Sequence, residues 1–173
     1  MNFKEIKTEE DIKELASLAE NIWREYWTSR ITSAQTEYMI EKFQSFKAIK
    51  HQIEDENYIY NIFYDAKSKS VIGYFGISPQ EDCLFLSKLY IKHDFRGFGC
   101  GNLAFNRIKL YAVKYNKTRI KLTVNKYNTQ TIKVYEKWGF RNIKSVVSDI
   151  GSGFVMDDYI MEYVLREKSN QNP

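Results

Sequence analysis

Apolar residues recur at helical spacing in the first third of the chain. Thr8 followed by three acidic residues is typical of an N-cap and an acidic first turn. Apolar positions three and four residues apart then run from Ile12 to Tyr26, which predicts an amphipathic helix. Ser33 is expected to cap a second helix, and the pair Ile49 and Ile53 indicates a shorter helix after it.

The middle of the chain changes to strand-like patterns. Residues 58–64 are rich in Tyr, Ile and Phe, and residues 71–77 follow after a polar turn, so the two segments predict a β-hairpin. Residues 83–91 are almost all apolar, which is typical of a central strand buried on both faces. A glycine-rich turn, a helix and an alternating segment at residues 118–124 come next. This succession predicts a crossover between parallel strands.

The last third predicts a short helix and two strands. The helix covers residues 128–138, with Asn128 or Thr129 as its cap and Gly139 as a left-handed residue at its end. The two strands are expected at residues 140–148 and 154–164.

These elements predict an α/β (α+β) fold in a single domain at residues 1–168. The expected order is α-α-β-β-β-α-β-α-β-β, with helices flanking a mixed central sheet of about six to seven strands. Residues 169–173 are expected to form a frayed tail.

Composition narrows the class of protein. The 173 residues are 43% hydrophobic with a net charge of +4, so a globular chain is expected, and the interspersed acids argue against nucleic acid as a partner. The two cysteines form no Cys-x-x-Cys, and His51 and His93 have no ligand-like spacing, so neither a disulfide framework nor a metal site is expected. No apolar run resembles a signal core or a membrane span, which favours a cytoplasmic protein without membrane contact.

The turn Arg96-Gly97-Phe98-Gly99-Cys100-Gly101 lies between the central strand and the next helix. Free N–H groups at a helix start attract an anion, and glycines let the backbone approach it, while Arg96 could add a cation. No P-loop Gly-Lys-Ser/Thr follows, and Asn102 stands where the dinucleotide fingerprint needs a glycine. The turn therefore predicts an anion site, with a tight turn that binds no ligand as the alternative.

Three blocks stand in order along the chain. They are the strand Leu86-Ser87-Lys88-Leu89-Tyr90-Ile91, the Arg-x-x-Gly-x-Gly turn, and Asn128 followed by Tyr135-Glu136-Lys137-Trp138-Gly139-Phe140. Together they resemble the GNAT superfamily of acetyltransferases, and the predicted element order is similar to that family's over residues 3–165. The resemblance implies a GNAT-like fold, N-acetyltransferase activity and acetyl-CoA as cosubstrate.

The resemblance also implies how acetyl-CoA is held. Backbone groups of Leu89, Tyr90 and Ile91 would hydrogen-bond the pantetheine arm like an extra strand, and the strand at residues 118–124 would splay away from them. Asn128 would contact the cofactor, and Lys137 would reach its nucleotide end. The pyrophosphate would be held by the amides of Gly97, Phe98, Gly99, Cys100, Gly101 and Asn102.

Tyr135 is implied to lie near the thioester sulfur. When an amine attacks the acetyl carbonyl, a thiolate must leave, and a tyrosine hydroxyl can protonate that sulfur as a general acid. A backbone N–H near Tyr90 would stabilise the oxyanion. The alternative for Tyr135 is a core aromatic on a short helix. The base stays open, because no spacing singles out one of Glu25, Glu37, Glu81, Asp82, Asp157 and Asp158.

Two segments mix acids with aromatics and suit a cationic amine. Glu25 and Trp27 belong to the first, and Asp157 and Asp158 belong to the second. The central strand and the ending at residues 156–162 are similar to those of bacterial spermidine/spermine N-acetyltransferases, which implies a polyamine or another small amine as acceptor. The alternatives are a protein N-terminus or lysine, an aminated antibiotic, or a non-catalytic acyl-CoA-binding regulatory module. A homodimer is left open.

Overall fold

Strands β1 to β7 form one mixed sheet in the computed structural model, which describes residues 1–27 and 31–165. Their order across the sheet is β1-β2-β3-β4-β5-β7-β6. Helices flank the sheet, as predicted. The elements are β1 (Asn2–Glu5), α1 (Glu9–Trp27), α2 (Ser33–Gln44), α3 (Phe46–Asp55), β2 (Ile59–Tyr64), β3 (Val71–Pro79), β4 (Leu84–Ile91), a 3-10 turn (His93–Phe95), α4 (Cys100–Lys114), β5 (Arg119–Asn125), α5 (Thr129–Trp138), β6 (Arg141–Gly151) and β7 (Phe154–Val164).

The chain forms two compact units. The first comprises Met1–Ser78 and Ser87–Arg107, and the second comprises Pro79–Leu86 and the chain from Ile108 onward. The predicted hairpin is confirmed in the first unit, because β2 pairs with β3 in antiparallel orientation. The predicted parallel pair is confirmed in the second unit, where the first residues of β4 pair with β5.

Helix α1 begins where the sequence predicts it. The Thr8 hydroxyl accepts the Asp11 N–H at 3.2 Å, and the Asp11 carboxylate accepts the N–H groups of Lys7 and Thr8 at 3.0 Å. Lys4 also pairs with Asp11 at 2.6 Å, and this contact, followed by the backbone hydrogen bond from Thr8, lowers the pKa of Asp11. These bonds satisfy N–H groups that a helix start leaves without partners.

The core of the first unit lies between helices α1 and α3 and strands β2 and β3. Except for Ile6, its members are apolar positions from the predicted helical and strand patterns, which confirms those patterns. Burial of such side chains supplies most of the stabilisation of a domain. The cluster includes Leu15, Ile22, Ile49, Tyr60, Ile62 and Tyr74, each at most 1% exposed.

The second unit is built on the alternation predicted for β5. Ile120, Leu122 and Val124 are buried, and in the antiparallel pairing with β7 they lie opposite Tyr163, Met161 and Tyr159. Helix α5 ends at Gly139, whose φ of 99° is left-handed as predicted.

Some predictions about elements are wrong. The predicted order omits β1 and gives two helices before β2 where the structure has three, although Ile49 and Ile53 do lie on the third. Strand β1 has only four residues, too few for alternation to be recognised, and it is defined by its pairing with β2. Thr32, rather than Ser33, caps α2 by accepting the Gln35 N–H at 3.2 Å.

Strand β4 also differs from its prediction. Leu84, Leu86 and Lys88 are buried, but Phe85 and Ser87 are partly exposed, so this strand is not buried on both faces. The frayed tail predicted for residues 169–173 lies outside the described residues, and the domain limits remain a prediction.

Candidate active site

The end of β4 carries the residues expected to bind the pantetheine arm. The ring of Tyr90 lies 5.6 Å from that of Trp23 and stacks on Tyr74 at 5.4 Å. Gly73 of β3 lies against the backbone here, since a Cβ on it would come within 2.1 Å of the Tyr90 carbonyl oxygen and 3.1 Å of the Ile91 Cα. This glycine therefore permits a close approach of β3 to the segment that the sequence singles out.

The glycine turn follows in the same unit. Arg96 donates a hydrogen bond from Nε to the Ile91 carbonyl at 2.8 Å, and its guanidinium lies 5.0 Å from the centre of the Tyr26 ring. Gly97 and Gly99 have φ values of 82° and 81°, and a Cβ on either would meet nothing within 4 Å. Their left-handed backbone favours glycine and leaves the surface of the turn open.

Helix α4 starts directly after this turn at Cys100. Its first intrahelical bond runs from the Leu103 N–H to the Gly99 carbonyl at 3.2 Å, and the preceding N–H groups lie at the positive end of the helix dipole. Phe98 is 80% exposed. The predicted anion site is thus an open glycine turn that leads into a helix of four turns.

The two acceptor candidates of the first unit lie near the end of α1. Glu25 is exposed, and Trp27 is partly buried. The Trp27 ring lies 5.1 Å from Tyr26 and 5.6 Å from Trp23, and its Nε1 is buried without a hydrogen-bond partner among the described residues. With Tyr90 these rings form one aromatic cluster, which the sequence only partly anticipates.

The second unit holds the start of β4 and all of β5. The parallel ladder between them consists of the pairs Leu84↔Ile120 and Phe85↔Lys121. β5 continues to Asn125. The splaying of these strands stays a prediction.

Helix α5 carries the other cofactor candidates. Asn128 takes the N-cap position without a side-chain capping bond, and its carbonyl accepts the Ile132 N–H at 3.0 Å. Tyr135 is 8% exposed and packs against Trp138 at 5.6 Å and Phe140 at 5.4 Å. Lys137 is exposed. The geometry of Tyr135 therefore suits either a core residue or an acid with most of its ring buried.

The two adjacent acids of β7 have different environments. Asp157 forms an ion pair with Lys126. Asp158 is 5% exposed, and its Oδ1 has no hydrogen-bond partner in the described part of the chain. Burial, and then the charge of Asp157, raise the pKa of Asp158 to about 6. Burial disfavours the charged form of a carboxyl group.

Comparison with known proteins decides the family. The sequence profile described as "Acetyltransferase (GNAT) family" matches residues 19–140. The chain belongs to the GNAT acetyltransferase family. No curated protein sequence matches at a significant level.

Solved structures of N-acetyltransferases share the fold of this chain at low sequence identity. A PaiA N-acetyltransferase from Thermoplasma acidophilum in complex with coenzyme A is 18% identical, with a TM-score of 0.74 over 95% of this chain and 99% of that one. A GCN5-related N-acetyltransferase from Rhodopseudomonas palustris is 12% identical, with a TM-score of 0.75 over 95% of each chain. A variant of the spermidine N-acetyltransferase SpeG from Vibrio cholerae is 19% identical, with a TM-score of 0.65 over 95% of each chain.

This GNAT protein is an acetyl-CoA-dependent N-acetyltransferase. Its glycine turn fits the diphosphate of that cosubstrate, because the space beside Gly97 and Gly99 is open and α4 begins there.

Among the described residues, no group of three or more His, Cys, Asp or Glu side chains is arranged to hold a metal ion. Within the same residues, no helix has the length and apolar character needed to cross a bilayer.

The other base candidates of this GNAT protein differ from Asp158. Glu37 pairs with Arg24, and Asp82 pairs with Lys121 at 2.5 Å, while Glu25 and Glu81 are exposed. Burial therefore separates Asp158 from acids that the sequence could not rank.

Sequence reasoning missed Lys88, which is 6% exposed on β4. Its Nζ donates to the Phe43 carbonyl and to Gln52 Oε1, both at 2.8 Å, and to the Tyr60 hydroxyl. Burial lowers the pKa of Lys88 to about 7. The signal in the sequence that could have indicated this burial was a lone lysine within a strand predicted to be buried.

Proposed function

We propose that this enzyme transfers the acetyl group of acetyl-CoA to a primary amine of a polyamine or another small amine. The observation that carries the proposal is the open turn at Gly97 and Gly99, which leads into α4 beside the end of β4. Several N–H groups at one helix start stabilise a diphosphate more than a single charge contact would.

We assign the cofactor contacts as follows. The backbone of Leu89, Tyr90 and Ile91 hydrogen-bonds the pantetheine arm, and the amides from Gly97 to Asn102 bind the pyrophosphate. Arg96 supports this arrangement by joining the end of β4 to the turn through its bond to the Ile91 carbonyl. Asn128 contacts the cofactor, and Lys137 binds at its nucleotide end.

The chemistry is a direct attack of the amine nitrogen on the acetyl carbonyl carbon. A backbone N–H near Tyr90 stabilises the oxyanion that forms. As the carbon–sulfur bond breaks, Tyr135 gives its hydroxyl proton to the thiolate. General-acid help of this kind typically accelerates a reaction by about 10²–10⁴-fold.

The acceptor assignment rests on the aromatic cluster of Trp23, Tyr26, Trp27 and Tyr90. Aromatic faces attract an alkylammonium through cation–π contact, while their breadth suits a flexible carbon chain. The exposed carboxylate of Glu25 lies on the same helix and favours a second cationic group of the acceptor.

A thiol-release assay with acetyl-CoA across a panel of amines tests this function. The panel contains spermidine, spermine, a simple diamine, a lysine peptide, a peptide with a free N-terminus and an aminoglycoside. We expect the largest kcat/KM with the polyamines or the diamine. Release confined to a peptide or to the aminoglycoside would replace the acceptor, and acetyl-CoA binding without release from any amine would indicate a binding module.

A further inference from the structure

Asp158 is a carboxylate for which the described residues supply no partner. In the β5–β7–β6 ladder it lies opposite Asn125 of β5 and Val146 of β6. Asp158 is 5% exposed, and its Oδ1 makes no hydrogen bond with any described residue. A buried carboxylate without a partner costs folding free energy, and such groups are common at functional sites.

In the part of the chain that the structure describes, the lysines near this carboxylate pair with other acids or are exposed. Lys126, which follows β5, forms its ion pair with Asp157, and Lys121 of β5 forms its ion pair with Asp82. Lys144 of β6 lies opposite Ile160, one step further along the same face, and is exposed. The charge of Asp157 acts against ionisation of Asp158, and that of Lys126 acts in favour of it. Burial dominates over both, so Asp158 is a much stronger base than an exposed aspartate.

Asp158 and the buried aromatic residues of this unit lie on different faces of β7. Side chains of a strand alternate between its two faces. The buried face of β5 and β7 carries Ile120 and its partner Tyr163, and Tyr163 lies 5.5 Å from Phe140, which contacts Tyr135. Asp158 has the opposite parity to Tyr163, so it projects from the other face. Asp158 therefore lies on the face of β7 that does not carry the Phe140–Tyr163 contact.

Asp158 of β7 also lies opposite the end of β5, after which the chain leads into α5, the helix that carries Tyr135. Its partner Asn125 is the last residue of β5, and the Asn125 carbonyl accepts the Asn128 N–H at 2.9 Å, directly before α5. The β-ladder thus brings a buried base to the strand end where the cofactor contact Asn128 and the helix of Tyr135 begin.

We propose that Asp158 is the catalytic residue that binds the acceptor ammonium and removes its proton. The inference rests on the proposed function. A carboxylate oxygen of Asp158 takes one proton from R–NH₃⁺, and the neutral nitrogen forms the carbon–nitrogen bond to the acetyl carbon. The carbon–sulfur bond breaks, the thiolate takes the Tyr135 proton, and a second nitrogen proton restores the Tyr135 hydroxyl. The net products are the amide, free CoA and one proton, which Asp158 passes to water.

Asp158→Asn tests the proposal because it keeps the shape of the side chain and removes its basicity. With the best alkylamine of the panel, we expect kcat/KM at pH 7 to fall by about 10²–10⁴-fold, the usual range for a general base. Glu162→Gln is the matched control. Glu162 is a mostly buried acid on the same face of β7, but it is paired with Arg119 at 3.4 Å, so its variant should stay within about threefold of wild type.

O-Methylhydroxylamine is the second acceptor, because its nitrogen is already neutral at pH 7 and needs no base to activate it. With it, we expect the Asp158→Asn variant to be less than about tenfold slower than wild type. With the alkylamine, the wild-type kcat/KM should rise through about pH 6 and level off, following Asp158. The variant should instead keep rising with pH towards the pKa of the amine.

The outcomes separate the two proposals. No release from any amine by wild-type enzyme would refute the proposed function itself. Release by wild type with an unchanged Asp158→Asn variant would overturn only the role of Asp158. An equal loss with both acceptors and an unchanged pH profile would also overturn that role, because it would indicate a structural or purely electrostatic contribution.

Discussion

Asp158→Asn should stabilise the protein at neutral pH while it impairs catalysis. The folded state raises the pKa of this carboxyl from 3.8 to about 6, so the folded protein binds the proton more tightly than the unfolded chain does. The cost of the buried charge is therefore absent below about pH 4, grows between pH 4 and 6, and is complete above pH 6. A shift of about two pKa units at about 1.36 kcal/mol each sets an upper limit of about 3 kcal/mol.

Urea denaturation of wild type and variant between pH 4 and pH 8 measures this effect. We expect the variant's gain in unfolding free energy to be near zero at the acid end and to reach about 1–3 kcal/mol at pH 8. Glu162→Gln should show no such gain, because Glu162 is paired with Arg119. A variant no more stable than wild type at pH 8, or a gain independent of pH, would refute the stated cost of burying the Asp158 charge.

Three further predictions concern the first unit. Gly97→Ala forces a side chain into a left-handed conformation at a cost of about 1–2 kcal/mol. We expect the free turn to relieve this strain by leaving the conformation that binds the diphosphate, which should raise the Kd for acetyl-CoA by about five- to thirtyfold in a binding titration. Gly153→Ala, at φ 76° with equally open surroundings, should leave that Kd unchanged. Gly73→Ala should destabilise the protein by about 1–3 kcal/mol and raise the KM for acetyl-CoA, because the new Cβ would displace the Tyr90 carbonyl. Gly76→Ala, whose Cβ would meet the Tyr60 ring at 2.5 Å, should lower stability without that change in KM, and an unaltered KM in both variants would contradict the role of the close approach. Burial lowers the pKa of Lys88 from 10.5 to about 7, so the wild-type free energy of unfolding should rise between pH 7 and pH 10 by at most about 1.36 kcal/mol per pH unit. Lys88→Met should abolish this rise. Denaturation profiles that stay parallel for wild type and variant would contradict this.

Local patterns anticipated the parts of the fold that local chemistry determines. The cap at Thr8, the alternation of Ile120, Leu122 and Val124, and the left-handed Gly139 each depend on a few neighbouring residues, and all are present in the structure. Strand β1 escaped prediction because its four residues become a strand only by pairing with β2.

The glycine turn and the buried polar side chains were predictable to different extents. The turn around Gly97 and Gly99 is visible in the sequence because glycine is needed where φ is positive. The burial of Asp158 cannot be predicted from the sequence, because the depth of a polar side chain depends on residues that are distant in sequence. For Lys88 the sequence offered one signal, its position in an apolar strand. In the sequence Asp158 is one of six acids that no spacing separates, and in the structure its burial distinguishes it from the others.

Acetyl transfer with Tyr135 as the acid is the central mechanistic claim, and Tyr135→Phe tests it most directly. The substitution keeps the buried ring and its contacts with Trp138 and Phe140 while removing the hydroxyl proton. We predict an acetyl-CoA Kd within about twofold of wild type and a kcat for the best amine lowered by about 10²–10⁴-fold. Turnover equal to that of wild type would contradict the claim.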